Sequence, residues 1–173
     1  LIEAAGRRGV AVVERASGDA AVEHGDLRLT TLWPPPDADF RSRNDGSLVT
    51  HVEVNGFGVL LPGDLGREAE AELLAAVAFP RVDLLVVPHH GSRGSSSKVF
   101  LDAVGARVAV VSAPCRTGAR LPSGETLARV ASGGTATWWT GRDGAVETRL
   151  RKTLTTFGWA DPQAELRCRW TGT

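Results

Sequence analysis

Methionine is absent from the 173-residue chain, cysteine occurs twice and histidine four times. The chain opens on LIEAAGRRGV, which reads as the tail of a helix followed by a turn, so it is expected to be a piece of a longer protein. Cys115 and Cys168 are too few and too far apart for a zinc knuckle or a disulfide framework, and are expected to be independent small side chains. Net charge is lacking too, since 20 basic residues balance 20 acidic ones. Bulk charge therefore supplies no general attraction to nucleic acid or membrane, although a local basic surface remains open. No run approaches the ~18–20 apolar residues of a membrane span, and no signal-peptide pattern is present.

What is there suits one domain with a real core: 42% of the residues are hydrophobic. VAVVE (10–14) and LRLTTL (27–32) predict strands, with 16–26 as the turn between them. The proline-rich and charged WPPPDADFRSRND is loop. SLVTHVEV and FGVLL, joined by Asn55-Gly56, predict a hairpin. In GREAEAELLAAVAF, Leu65, Ala69, Leu73 and Val77 share one helical stripe, and glutamates near the start suit the helix dipole. Continuous apolar strands follow at 83–87 and 107–112. Ser97 and Ser123 are placed to cap the two helices beyond these strands, and Gly105 to close the first. TATWW and GAVETRL predict a final pair of strands, after which the pattern decays, although Trp159 and Trp170 argue against pure disorder. Strands first and alternating strand and helix later make a mixed α/β layered design.

Three loops at strand ends carry candidate chemistry, the place where ligands meet α/β sheets. In VLLPGDLG, the Asp64 carboxylate could bridge metal ions, or could merely cap the following helix. In VPHHGSRGSSS, His89 and His90 are expected to point to opposite sides, one toward a site and one into packing, with Ser92 and a glycine amide ready for a phosphate oxygen. In RSRNDGS (41–47), Asn44 and Ser47 could anchor the loop, while Arg41, Arg43 and Arg93 could meet a phosphate backbone or lie solvated. His24 and His51 have no supporting neighbours and read as surface or strand residues.

The ordered set RSRNDGSLV, VLLPGDLGREAE, DLLVVPHHGSRGSSSKVFLDAV and VAVVSAPCR…LPSGETLARV resembles the C-terminal metallo-β-lactamase-like domain of ComEC-type DNA-internalisation competence proteins. The resemblance runs over residues 1–148, leaving 149–173 as a tail of unknown structure. It implies the C-terminal part of an αββα sandwich, outside the cytoplasm, on a membrane-embedded parent that passes single-stranded DNA inward. It also implies a divalent metal, zinc or manganese, in the full parent, phosphodiester hydrolysis of DNA, and no small-molecule cofactor.

Carried over by position, Asp64 and His89 stand as metal ligands, with the division of roles between His89 and His90 left open, and His89, His90 and Ser92 stand at the reacting centre. Asn44 and Arg93 stand on the substrate side. The family's H-x-H-x-D-H is not in this chain, and Leu121 and Thr117 stand where a histidine and an asparagine belong. The chain alone is therefore expected to be inactive and to bind metal poorly. Two alternatives follow: a non-catalytic scaffold of the same fold that guides or docks DNA, and a soluble small-molecule metallo-hydrolase.

Overall fold

The computed structural model describes residues 2–115 and 121–159. Its elements run α1 (Ile2–Arg7), β1 (Val22–His24), β2 (Leu27–Trp33), β3 (Val49–Val54), β4 (Phe57–Leu61), α2 (Arg67–Ala76), β5 (Leu84–Val86), α3 (Lys98–Val104), β6 (Val108–Val111), α4 (Gly124–Ser132), β7 (Ala136–Trp139), α5 (Thr140–Asp143), β8 (Ala145–Leu150) and β9 (Leu154–Trp159). Strands β1 to β7 form one sheet in sequence order, and β8 and β9 form a separate two-stranded sheet. The mixed α/β expectation holds.

Local chemistry sets the switch in strand direction. Asn55 and Gly56 both take positive φ (51° and 76°), the combination a two-residue hairpin needs, and this turns β3 back onto β4. From β4 to β7 each strand runs parallel to the last, because a helix carries the chain back between them. Ser97 Oγ accepts from Phe100 N at 3.2 Å and Ser123 Oγ accepts from Thr126 N at 3.1 Å, so both predicted caps form. Gly105 closes α3 with φ 57°.

All three long helices lie on one face of the sheet. Leu65, Ala69 and Leu73 beside α2 and Phe100 and Val104 of α3 bury against Val49, Leu60 and Leu85. Val130 of α4 joins Ala109, Val111 and Trp139. On the opposite face, Val59, Leu84 and Val108 are covered by Trp138 and by Leu150 and Leu154 of the β8–β9 hairpin. Toward the other end of that face, Leu61 remains 39% exposed. One buried acid ties the lower ends of the strands together. Asp83 accepts from Gly58 N at 3.1 Å and from Arg81 Nη2 at 2.7 Å.

Three local expectations are corrected. Residues 10–14 form no strand, and Val10, Val12 and Val13 are more than half exposed. The sheet edge is taken instead by 22–24, which the tight turn at Gly25 folds directly onto β2. The strands at TATWW and GAVETRL do not pair with each other. β7 extends the large sheet beside β6, α5 intervenes, and β8 pairs with 154–159, a stretch with no legible period. His51 is a strand residue as expected, buried on β3 with its Nε2–H donating to Arg81 O at 3.0 Å. Cys115 is disulfide-bonded rather than independent. Thr117, Cys168 and Trp170 lie outside the described residues.

Candidate functional site

The site forms where β4, β5 and β6 end together. Beyond β4, Gly63 takes φ 60° and delivers Asp64. Asp64 does not cap α2: the capping position falls on Gly66, with no side-chain hydrogen bond there. Instead the Asp64 backbone N–H donates to Ser47 Oγ at 3.1 Å, and the carboxylate, half exposed, is left to the site. Gly63 presses on the same serine, since a Cβ there would lie 3.1 Å from Ser47 Cβ.

Beyond β5, Pro88–Gly91 make one tight 3-10 turn in which three consecutive residues have positive φ: His89 at 50°, His90 at 53° and Gly91 at 76°. Left-handed backbone at two non-glycine residues is costly and persists only where the surroundings over-determine it. Here they do. His89 N–H donates to Gly63 O at 3.0 Å, and Gly91 O accepts from Ser123 N at 2.9 Å. Gly91 also lies under Pro122, where a Cβ would come within 2.7 Å of Pro122 Cβ. Gly91→Ala is expected to cost about 1–3 kcal/mol through backbone strain and overpacking. A denaturant midpoint unchanged from wild type would show that the turn tolerates a side chain.

This curl separates the roles of the two histidines. His90 Nδ1–H donates to Ser112 O at 2.7 Å, just past β6, and its Nε2 lies 3.6 Å from Asp64 Oδ1. Fixing one ring nitrogen on a backbone carbonyl sets the tautomer and aims the other, the usual support for a metal-ligating histidine. His89 turns instead to the 41–47 loop, where Asn44 Nδ2–H meets its Nε2 at 3.4 Å. Asp64, both histidines, Asn44 and Ser47 are thus gathered into one place. Among the described residues there is no group of three His, Cys, Asp or Glu placed to hold a metal.

The other two residues singled out are engaged elsewhere. Ser92 Oγ accepts from Gly94 N at 3.3 Å within its own loop. Arg93 is exposed and pairs with Glu125 on α4 at 3.4 Å. The 41–47 loop is seated by Trp33, whose indole N–H donates to Asp45 O at 2.6 Å and whose ring meets Phe40 at 5.5 Å between centroids.

Sequence reasoning misses what holds the serine-rich loop. Glu70 of α2 is fully buried, and its carboxylate accepts from the backbone N–H groups of Ser96 and of Ser97, the latter at 2.8 Å. Arg129 of α4 donates to Ser96 O at 2.9 Å and to Ser95 O at 3.0 Å. Thr126 Oγ1 donates to Ser92 O at 2.9 Å. Loop, α2 and α4 are therefore one hydrogen-bonded unit beneath the histidine turn. The available signal was a glutamate beside the apolar stripe of α2, facing inward with Ala69 and Leu73.

No family model matches the chain. The chain is similar to ComE operon protein 3 of Bacillus subtilis (strain 168), 30% identical over 157 residues, which is 91% of this chain and 20% of that protein. It is similar to Competence protein ComA of Neisseria gonorrhoeae, 33% identical over 105 residues, 60% of this chain and 15% of that protein. It is also similar to Recombination protein 2 of Haemophilus influenzae, 37% identical over 81 residues, 47% of this chain and 10% of that protein. The chain therefore spans a fifth or less of the length of these relatives. Among the described residues no helix is long and apolar enough to cross a membrane.

Proposed function

We propose that the chain is part of a competence DNA-uptake protein and carries one side of a divalent-metal phosphodiesterase centre, to which it contributes Asp64 and His90. The observation that carries this reading is the 3.6 Å approach of Asp64 Oδ1 to His90 Nε2, with the other His90 nitrogen held on Ser112 O. The donor types fit: carboxylate oxygen and imidazole nitrogen bind zinc at about 2.0–2.2 Å, which puts neighbouring tetrahedral donors about 3.3 Å apart. A bound ion would lower the pKa of a water and draw charge from the phosphoryl oxygens. Asp64 and His90 would hold it. His89, its Nε2 occupied by Asn44, would offer Nδ1–H to a phosphate oxygen.

Two donors do not complete a catalytic centre, so the remaining ligands would come from the longer parent protein. The open part of the second sheet face is where a further layer of an αββα sandwich would pack. The disulfide at Cys115 supports an extracytoplasmic position on a membrane-embedded parent, because disulfides persist in oxidising compartments. The second reading is a non-catalytic scaffold that docks DNA. It is favoured by half-buried Leu121, at the position where the resemblance asks for a histidine.

A zinc competition titration against a chromophoric chelator tests the ligand assignment on this chain. Weak binding is expected, lost in Asp64→Ala and in His90→Ala and kept in His89→Ala. Equal loss in His89→Ala would reverse the roles of the two histidines, and binding that survives Asp64→Ala would remove the centre.

A further inference from the structure

The β8–β9 hairpin has two unlike faces. Val146, Thr148, Leu150, Leu154, Thr156 and Gly158 share one, and Leu150 and Leu154 bury it against the large sheet. The other face is outward. In register it reads Ala145 opposite Trp159, Glu147 opposite Phe157 and Arg149 opposite Thr155. Phe157 is 42% exposed and Trp159 is 64% exposed.

A single exposed apolar side chain needs no explanation. Two aromatic rings at i and i+2 on one strand face are a different matter, since they stand side by side about 6.6 Å apart. Their flanking neighbours Ala145 and Thr155 are small. The guanidinium of Arg149 lies 5.3 Å from the centre of the Phe157 ring. Arg149 is itself aligned by a 2.6 Å bond from its Nε to Glu147 Oε1, and this hydrogen bond holds the Glu147 carboxyl below its ordinary range. Arg151 and Lys152, both exposed, form the hairpin turn. Residues 144–159 thus carry three cations and one acid, in a chain whose net charge is zero.

We infer that this face is a stacking platform for an unpaired nucleic-acid strand, separate from the Asp64–His90 centre. Phe157 and Trp159 would take two bases and the basic turn would take the phosphates. Rings on a sheet with cations alongside are the arrangement that binds single strands without reading sequence, since every base offers a π-face. Duplex offers no free base faces, and a charge-only surface would not need the rings. The choice of nucleic acid over an apolar partner rests on the DNA-uptake reading above. The platform itself rests on the hairpin alone.

The test uses the 173-residue chain and a fluorescein-labelled oligothymidylate of about 15 nucleotides, within the range one such surface covers. The measurement is anisotropy, with a duplex of equal length for comparison. Saturable binding of the single strand, tighter than that of the duplex, is expected. Phe157→Ala and Trp159→Ala should each weaken it about tenfold or more. Phe157→Tyr and Trp159→Phe should keep it. Thermal melts of the variants serve as the fold control, since both rings face outward. Alanine variants that bind like wild type, or a wild type that binds no oligonucleotide, overturn the platform. Neither result bears on the metal centre, which the Asp64 and His90 substitutions decide by zinc binding and cleavage.

Discussion

Glu70→Ala is expected to lower the unfolding free energy by about 3–4 kcal/mol, because it strips two buried backbone N–H groups of a charged acceptor at once. For a chain of this length that is a fall of about 10 °C in Tm, measurable by circular dichroism or calorimetry. The size follows from where the acid sits. Glu70 is fully buried on α2, and its two oxygens serve Ser96 and Ser97, the residues that open α3. Glu70→Gln should fall between the two, since its carbonyl can accept from one N–H while its amide group faces the other. A change in Tm below about 2 °C for the alanine variant would mean that the loop finds other acceptors. The effect is local to the site as well as global, because this loop continues directly from the His89–His90 turn.

In a longer protein that contains this domain, Asp64→Ala is expected to reduce metal-dependent cleavage of DNA by at least about 100-fold. That is the upper end of what losing a merely supporting group near a metal costs. His90→Ala should match it. His89→Ala and Asn44→Ala should resemble each other and cost less, weakening substrate binding more than turnover, because these two side chains are joined at 3.4 Å on the far side of the turn. Initial rates on a fluorescent strand with Mn²⁺ or Zn²⁺ measure this directly. Cleavage that survives Asp64→Ala would refute the assignment. A parent protein inactive even as wild type, yet still binding DNA, would establish the scaffold reading.

Much of the frame was legible because it rests on short-range rules. Asn55-Gly56 needed only the preference for positive φ in a two-residue turn, and Ser97 and Ser123 only the capping rule. The apolar stripe of α2 was equally local. Errors arose where tertiary partners decide. VAVVE has strand composition, but pairing went to 22–24, which a tight turn places beside β2. GAVETRL was correctly a strand, but its partner lay in 154–159, whose mixed small and polar residues carry no alternation on their own. At the site, the residue types were readable and the geometry was not. An extended segment would send His89 and His90 to opposite sides. The left-handed turn instead assigns one ring to Asp64 and the other to Asn44. Ser112 acts through its main-chain oxygen, a role no side-chain pattern can announce.

The large sheet is laid down in the same order as the chain, each strand beside its immediate predecessor. Every new strand therefore finds its template already waiting, and no earlier edge has to be held open for a late arrival. Pairing each strand with its neighbour in the chain keeps the closure entropy lower than pairing more distant strands would. A polypeptide threaded through a narrow exit can build this layer progressively from its front end, strand upon strand, before the rest has emerged.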